Sequence, residues 1–378
     1  MGVYIHIPFC AKKCGYCDFY SIVNFDEYKS QILEAIKKDI KLRSDVLGTY
    51  KPKTIYFGGG TPSLYAPNEL QSVIDTIKDV FNTETFDEIT VELNPEDLTT
   101  EYIQNLRKYD FNRVSLGVQS FRDETLSLMN RRHNAERAKT AVKELQDNGF
   151  DNISIDLIYG VHNVSLENWI ADLNTAVSLN VQHISAYHLS IEEGTPFDKL
   201  LQKGKIDIVD ENISEDSYNE MIKTLTNAGF VHYEISNFAI DNEHVSKHNS
   251  SYWTGIPYLG VGPSAHSFDG KKCRTWCVSS VRDYVKGVKE GQNYTENEIL
   301  TNNDLYFEFI MLSLRQLNGL CLDTLEKRFN EQYNTFLKNI KPFVDNGDML
   351  ITTDRKVKIS EKSILIADYI ISRTLKRG

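Results

Sequence analysis

The sequence predicts an α/β protein: a parallel barrel of the (β/α)6 type left incomplete, followed by a small winged-helix-like module. Three observations carry that prediction. Short strand-like apolar runs alternate with segments of helical spacing over the first two thirds of the chain, the pattern of parallel strands joined by right-handed crossovers. Near the C-terminal end of nearly every strand sits a group able to touch a ligand: Gly59 and Gly60, Glu92, Gln119, Asp156 and Ser190. In a barrel those ends converge on one mouth, whereas in an open sheet they would lie in a row. From about Lys271 the rhythm changes to helices and a hairpin.

The elements follow in order. An alternating apolar segment opens the chain and leads into a cysteine-rich loop. Asp26 to Ser44 has helical spacing through Tyr28, Ile32, Ile36 and Ile40. Thr54 to Phe57 is a short buried strand stopped by Gly58-Gly-Gly-Thr-Pro62, and Pro67 suits the first turn of a helix reaching Phe81. Further strands are expected at 88–93, 113–118, 152–157, 182–189 and 231–235, with helices at 99–109, 135–148, 166–179 and 211–228. Gly149 and Gly229 stand where left-handed helix stops are favoured. Six or seven strands leave the barrel short of closure, with a side opening for a large ligand.

The order helix, helix, helix, hairpin, helix over Thr301 to Gly378 is that of a winged-helix domain, with Asn346-Gly-Asp as the turn into the hairpin. This divides the chain into a barrel at 1–270, a connector at 271–300 and a C-terminal module at 301–378. A DNA-binding role for that module is excluded by charge: 12 Lys and Arg stand against 10 Asp and Glu, too weak a surplus to track phosphates. The whole chain carries a net charge of −11, which also argues against a nucleic-acid partner. With 41% hydrophobic and 25% charged residues it can bury a full core, and no apolar run is long enough for a bilayer. Three closely spaced thiols cannot pair among themselves, and the opening residues carry no export signal, so the chain reads as cytoplasmic.

Cys10, Cys14 and Cys17 form a CxxxCxxC directly after the first strand. Each thiolate can hold one iron of a [4Fe-4S] cubane, leaving the fourth iron open to a ligand. The alternatives are a zinc site completed by His6, or three unrelated core cysteines. The glycine loop at 58–62 lacks the Lys-Ser/Thr of a phosphate loop, and its bare backbone suits an amino group instead. Cys273 and Cys277, with Cys321 as the sole remaining thiol, read as ordinary thiols rather than a second cluster.

The cysteine motif followed by Asp18 and Phe19 resembles the signature of the radical S-adenosylmethionine (SAM) superfamily, which implies a cluster, bound SAM and an electron donor. The contexts TVELNPED, SLGVQSF, MNRRHN and SIDLIYG resemble the family that contains oxygen-independent coproporphyrinogen oxidase and the HemW-type heme chaperones. By that resemblance Tyr4, Gly59, Glu92 and His266 contact the cluster-bound SAM. Gly60, Thr61, Gln119, Arg131, Asp156 and Ser190 match positions that hold a second SAM in the oxidase. The oxidase pattern has a fourth cysteine where this chain has Phe19. Lys247-His-Asn-Ser-Ser-Tyr-Trp253 fits the HNxxYW motif of the chaperone branch, which implies heme bound by His248, Asn249, Tyr252 and Trp253. Imidazole is a good axial iron ligand and the two aromatics offer flat surface to a porphyrin, with His244 a nearby competitor. The resemblance thus implies a heme chaperone acting on acceptor hemoproteins, with membrane respiratory proteins among the candidates; a homodimer is left open. The rival is the oxidative decarboxylation of coproporphyrinogen III.

Overall fold

The computed structural model describes residues 1–23 and 27–375. Its main sheet contains β1 (Gly2–Ile7), β2 (Thr54–Gly59), β3 (Glu88–Leu93), β4 (Arg113–Gln119), β5 (Ile153–Tyr159) and β6 (His183–His188), paired parallel in sequence order. The crossovers contain α1 (Lys29–Leu42), α2 (Pro67–Phe81), α3 (Thr100–Leu106), α4 (Asp123–Leu128), α5 (Ala135–Asp147) and α6 (Leu166–Ser178). The expected first helix is α1, although its expected start at Asp26 lies outside the described residues. Side-chain caps start several of these helices: Thr99, Asn134 and Ser165 accept from the backbone N–H groups of Tyr102, Arg137 and Asn168.

The strands have two unlike faces. Val3, Ile5, Ile55, Phe57, Ile89, Val91, Val114, Leu116, Ile153, Ile155 and Ile184 join helix residues such as Ile36, Leu70, Val73 and Leu173 in one buried core. The alternate positions are polar: Tyr4 and His6, Thr54 and Tyr56, Glu88 and Glu92, Arg113 and Ser115, Ser154 and Asp156, His183 and Ser185. Parallel strands covered on both sides are ordinarily apolar on both. Here the apolar face meets the helices and the polar face lines a cavity.

One expectation changes at the edges of this sheet, and two further strands join it. The strand at 231–235 is β7 (Val231–Glu234), following α7 (Pro196–Gln202) and α8 (Glu211–Asn227), and it is not a seventh parallel strand. It joins the sheet through β8 (Asn237–Ala239), which runs antiparallel to both β7 and β6, because the link between β7 and β8 is too short for a crossover. After α9 (Lys247–Tyr252), β9 (Leu259–Val261) pairs parallel with β1 at the opposite edge. The sheet therefore runs from β7 to β9 and the barrel is incomplete, as expected.

Residues 271–300 are more than a connector. β10 (His266–Phe268), β11 (Cys273–Cys277) and β12 (Thr295–Ile299) form an antiparallel sheet, and α10 (Val281–Glu290) places Val281, Tyr284, Val285 and Val288 in the main core. A buried polar cluster ties this segment to α1. The Asp39 carboxylate, fully buried, accepts two bonds from Arg43 (2.7 and 2.6 Å), one from Tyr284 Oη (2.8 Å) and one from Tyr294 Oη (2.7 Å). Arg43 also donates to the Gly260 carbonyl and to Cys277 Sγ. Cys277 is thus part of a structural network.

The C-terminal module has its own core. α11 (Asn302–Leu314), β13 (Leu320–Cys321), α12 (Leu322–Arg328), α13 (Asn330–Asp345), β14 (Met349–Ile351), β15 (Lys356–Ile359) and α14 (Ala367–Thr374) enclose Ile310, Leu325, Phe336, Ile340, Val357 and Ile370. This is the expected winged-helix order, with β13 as a short third strand. The module meets the main body through an Arg274–Glu308 ion pair of 2.7 Å and through Gln316, which donates to the Trp253 carbonyl.

Replacing Asp39 by Ala leaves Arg43 as an unpaired buried charge and should cost about 3–5 kcal/mol. Tyr294→Phe, which removes one donor, should cost about 1 kcal/mol. Urea unfolding of both variants checks the ranking; equal losses would contradict the network.

Candidate active site and cofactor cavity

A cavity of about 420 Å³ opens at the C-terminal ends of the strands. Its wall contains Cys10, Cys14 and Cys17 from the loop after β1, Gly59, Gly60 and Thr61 after β2, Glu92 on β3, Gln119 on β4, Arg131, Asp156 on β5 and Ser190 after β6. The structure therefore brings together most of the residues singled out from the sequence. Tyr4 and His266 do not line the wall. Tyr4 lies beneath it, its hydroxyl 3.1 Å from His6 Nδ1 and its ring 6.1 Å from that of Tyr56. His266 is exposed on β10 and stacks on Trp276.

Backbone bonds pin the cysteine loop from several sides. Cys10 N donates to the Ile22 carbonyl and Gly15 N to the Met129 carbonyl, while Phe197 N donates to the Gly15 carbonyl. Gly15 is required there, since a Cβ would stand 2.5 Å from the Phe197 ring. At Gly60 a Cβ would stand 2.5 Å from the Phe9 carbonyl oxygen, so glycine lets the second loop pass directly under the first. Two donors face the sulfurs: Thr61 Oγ1 lies 3.6 Å from Cys10 Sγ and Arg131 Nη1 lies 3.2 Å from Cys14 Sγ.

The zinc alternative does not fit. His6 is turned away, with Nε2 2.8 Å from the Tyr20 carbonyl oxygen, and no three His, Cys, Asp or Glu side chains gather about a single ion among the described residues. Three free cysteines lining one cavity suit a larger cubane. Burial raises the Cys10 thiol and pushes Cys17 up to about 11, so loading a metal cluster must expel protons.

Two half-buried carboxyls line the same cavity. Glu92 accepts from Tyr56 Oη (2.8 Å) and Gly59 N (3.1 Å), and burial pushes its carboxyl up to about 7. Asp156 accepts from Ser115 Oγ (3.2 Å) and is pushed by burial to about 6. Arg131 Nη2 donates to Asn94 Oδ1 (2.7 Å) and to the Gly117 carbonyl (2.8 Å). Gln119 adopts φ +69° at a break in the β4–β5 register, a strained conformation of the kind that collects at ligand sites. The arrangement offers hydroxyl acceptors, a carboxylate-binding guanidinium and amide groups around a metal-binding loop.

Sequence reasoning missed Tyr56, Asn94, Arg113, Ser115, Ser185 and Tyr187 on the same wall. The signal was present as the polar alternation within each strand.

The HNxxYW segment is α9, and it plugs the N-terminal end of the barrel. Lys247 N and His248 N donate to the two oxygens of Glu88, at 2.7 and 3.0 Å. His248 is 1% exposed, with Nδ1 2.9 Å from Thr54 Oγ1 and Nε2 2.9 Å from Tyr252 Oη. Burial holds its ring neutral, with a pKa of about 3. Both nitrogens are engaged, so in this packing His248 presents no free nitrogen to a ligand. Tyr252 packs edge-on against Tyr258, Trp253 is half-buried, and Asn249 reaches the cavity wall. His244 pairs with Asp241 at 2.8 Å.

Comparison with known proteins agrees with this geometry. The Radical SAM superfamily model matches residues 4–176 and the HemN C-terminal domain model matches residues 300–366. The solved radical SAM enzyme coproporphyrinogen III oxidase (HemN) of Escherichia coli superposes with a TM-score of 0.83 at 24% identity, covering 99% of this chain and 89% of that one. The fold and the cysteine loop together define a radical SAM protein. Among curated relatives, the heme chaperone HemW of Bacillus subtilis is 34% identical over 91% of this chain and 89% of its own length. HemW of Mycobacterium tuberculosis H37Rv is 32% identical, with 99% and 94% covered. The chain belongs to the HemW family.

Two outcomes are expected. Anaerobic reconstitution should load about four irons per chain, and Cys14→Ala should fail to hold them in iron and sulfide assays. Glu92 has a raised folded pKa, so the unfolded chain releases its proton first and stability falls as pH rises from about 4.5 to about 7. Glu92→Gln removes that contribution, so its thermal stability relative to the parent should improve with rising pH; a constant difference would contradict the assignment.

Proposed function

We propose that this protein is a heme chaperone: it carries a [4Fe-4S] cluster on Cys10, Cys14 and Cys17, binds SAM, receives heme and passes it to acceptor hemoproteins. The single observation carrying this is the 34% identity to Bacillus HemW across nearly the whole chain. It is supported by Phe19 at the position where the oxidase pattern has a further cysteine.

In this reading the residues divide the work. The three thiolates leave one iron corner for the methionine end of SAM. Gly59 and Gly60 bring bare backbone to its amino group, and Glu92 and Asp156 accept from ribose hydroxyls. Gly60, Thr61, Gln119, Arg131, Asp156 and Ser190 would serve a second SAM where one is used. Tyr4 supports this wall from below through His6 and Tyr56, and His266 lies outside it. The cluster, when bound, supplies a one-electron centre, which calls for an electron donor.

Heme is assigned to His248, Asn249, Tyr252 and Trp253, with the iron on His248. Because both His248 nitrogens are engaged, ligation requires α9 to leave Thr54 and Glu88. The acceptors include membrane respiratory proteins and the compartment is the cytoplasm. No helix among the described residues is long and apolar enough to cross a membrane.

Hemin added to purified protein should give a Soret band that shifts or weakens in His248→Ala; an unchanged spectrum removes His248 as ligand. An anaerobic assay with coproporphyrinogen III should show no appreciable protoporphyrinogen. Robust turnover there would replace the chaperone reading by the oxidase one.

A further inference from the structure

Arg113 is the first residue of β4, on the inward face below Ser115, and it lines the floor of the cavity. It is 2% exposed. Among the described residues its guanidinium makes no hydrogen bond and no ion pair, and its Nε lies buried without a partner. A charge so buried is costly unless paired, and buried arginines are accordingly almost always found paired.

Asp156 and Glu92 act on it through space, but no facing group is in hydrogen-bond or ion-pair contact with it among the described residues. Glu92 on β3 is held by Tyr56 and Gly59, and Asp156 on β5 by Ser115. His183 on β6 is held by Ser154 and Tyr233, and His248 on α9 by Thr54 and Tyr252. Tyr56 donates to Glu92. The other arginine of the wall, Arg131, is engaged at the mouth with Cys14, Asn94 and Gly117. Six residues of strand separate Arg113 from Gln119 at the rim, roughly 20 Å of backbone rise, so Arg113 marks a depth separate from the cluster loop.

A planar guanidinium with free donors, facing a cavity with no carboxylate of the chain in ion-pair contact among the described residues, matches a carboxylate in a two-pronged pair. We propose that Arg113 is a carboxylate-binding group on the barrel floor, receiving the carboxylate of a ligand that extends inward from the mouth. That carboxylate has two chemical sources, a tetrapyrrole propionate or the amino-acid end of a SAM molecule. Only the first rests on the heme reading given above.

The test uses cluster-loaded protein under anaerobic conditions, with Arg113→Gln and Arg113→Lys. Dissociation constants are measured for hemin and hemin dimethyl ester, and for SAM and decarboxylated SAM. Arg113→Gln should weaken at least one carboxylate-bearing ligand by roughly tenfold or more, leaving its carboxylate-free analogue unchanged. Arg113→Lys should retain part of that preference. A change confined to the hemin pair assigns the propionate, and one confined to the SAM pair assigns the amino acid. Unchanged affinities for all four overturn the proposal. So does equal weakening of ligand and analogue together with a lower melting temperature, which would make Arg113 a structural countercharge. Should Arg113→Gln fail to load iron, the Lys variant decides: an undiminished preference for the carboxylate-bearing ligands overturns the proposal. Parent protein that binds no hemin at all would sink the heme reading and leave the SAM pair to decide here.

Discussion

The structure depends on one constraint: each strand of the main sheet is apolar on one face and polar on the other. The apolar set is clamped between sheet and helices, and that outer layer holds the barrel together. The interior contributes little hydrophobic stabilisation, because Thr54, Tyr56, Glu92, Arg113, Ser115, Asp156 and Ser185 occupy positions that a sealed barrel fills with Val, Ile and Leu. The same alternation therefore creates the fold and the cavity. It also sets the electrostatics, since acids placed on a buried polar face have their carboxyls raised by desolvation until a ligand supplies partners.

The cluster loop is positioned by close backbone approach and by Tyr16, whose ring packs edge-on against Phe197. Gly60 passes against the Phe9 and Ile7 carbonyls, Gly15 accommodates the Phe197 ring, and Met129 and Phe197 supply backbone partners from α4 and α7. These contacts join segments far apart in sequence. The backbone partners of the loop therefore come from several later crossovers at once. Arg131 then links loop and strand, because one guanidinium reaches Cys14 Sγ, Asn94 and the Gly117 carbonyl.

How much of this was legible follows from the physics of each element. β2 to β6 were readable because each is a run of strand-forming residues bounded by glycine, asparagine or helix caps, and their ends located the mouth. β9 was not, because three residues carry no period, and its pairing with β1 spans most of the chain. Residues 271–300 looked like a connector because Asp39, which anchors them, lies in α1 and its role is visible only in three dimensions. Arg113, Ser115 and Ser185 were readable in principle from their parity with Gln119 and Asp156, but attention to strand ends alone passed over them. The HNSSYW segment was recognised as a motif, whereas its place at the barrel floor was not, since the acid that caps it, Glu88, stands at the start of β3.

That place has an energetic consequence for any ligand of His248. Freeing the imidazole gives up contacts to Thr54 and Tyr252, and moving α9 gives up two backbone bonds to Glu88. At about 0.5–1.5 kcal/mol net for each bond, a form opened at α9 would be a minor population, and the apparent affinity of any ligand that needed it would be reduced by that fraction. The closed plug is also wired to the cofactor side of the cavity. The Tyr56 ring lies 5.1 Å from that of His248, and its hydroxyl donates to Glu92, whose other oxygen receives the amide of Gly59. One tyrosine thus touches both the carboxyl at the mouth and the imidazole at the floor, and a ligand that drew Glu92 away from Tyr56 would change the surface on which His248 rests.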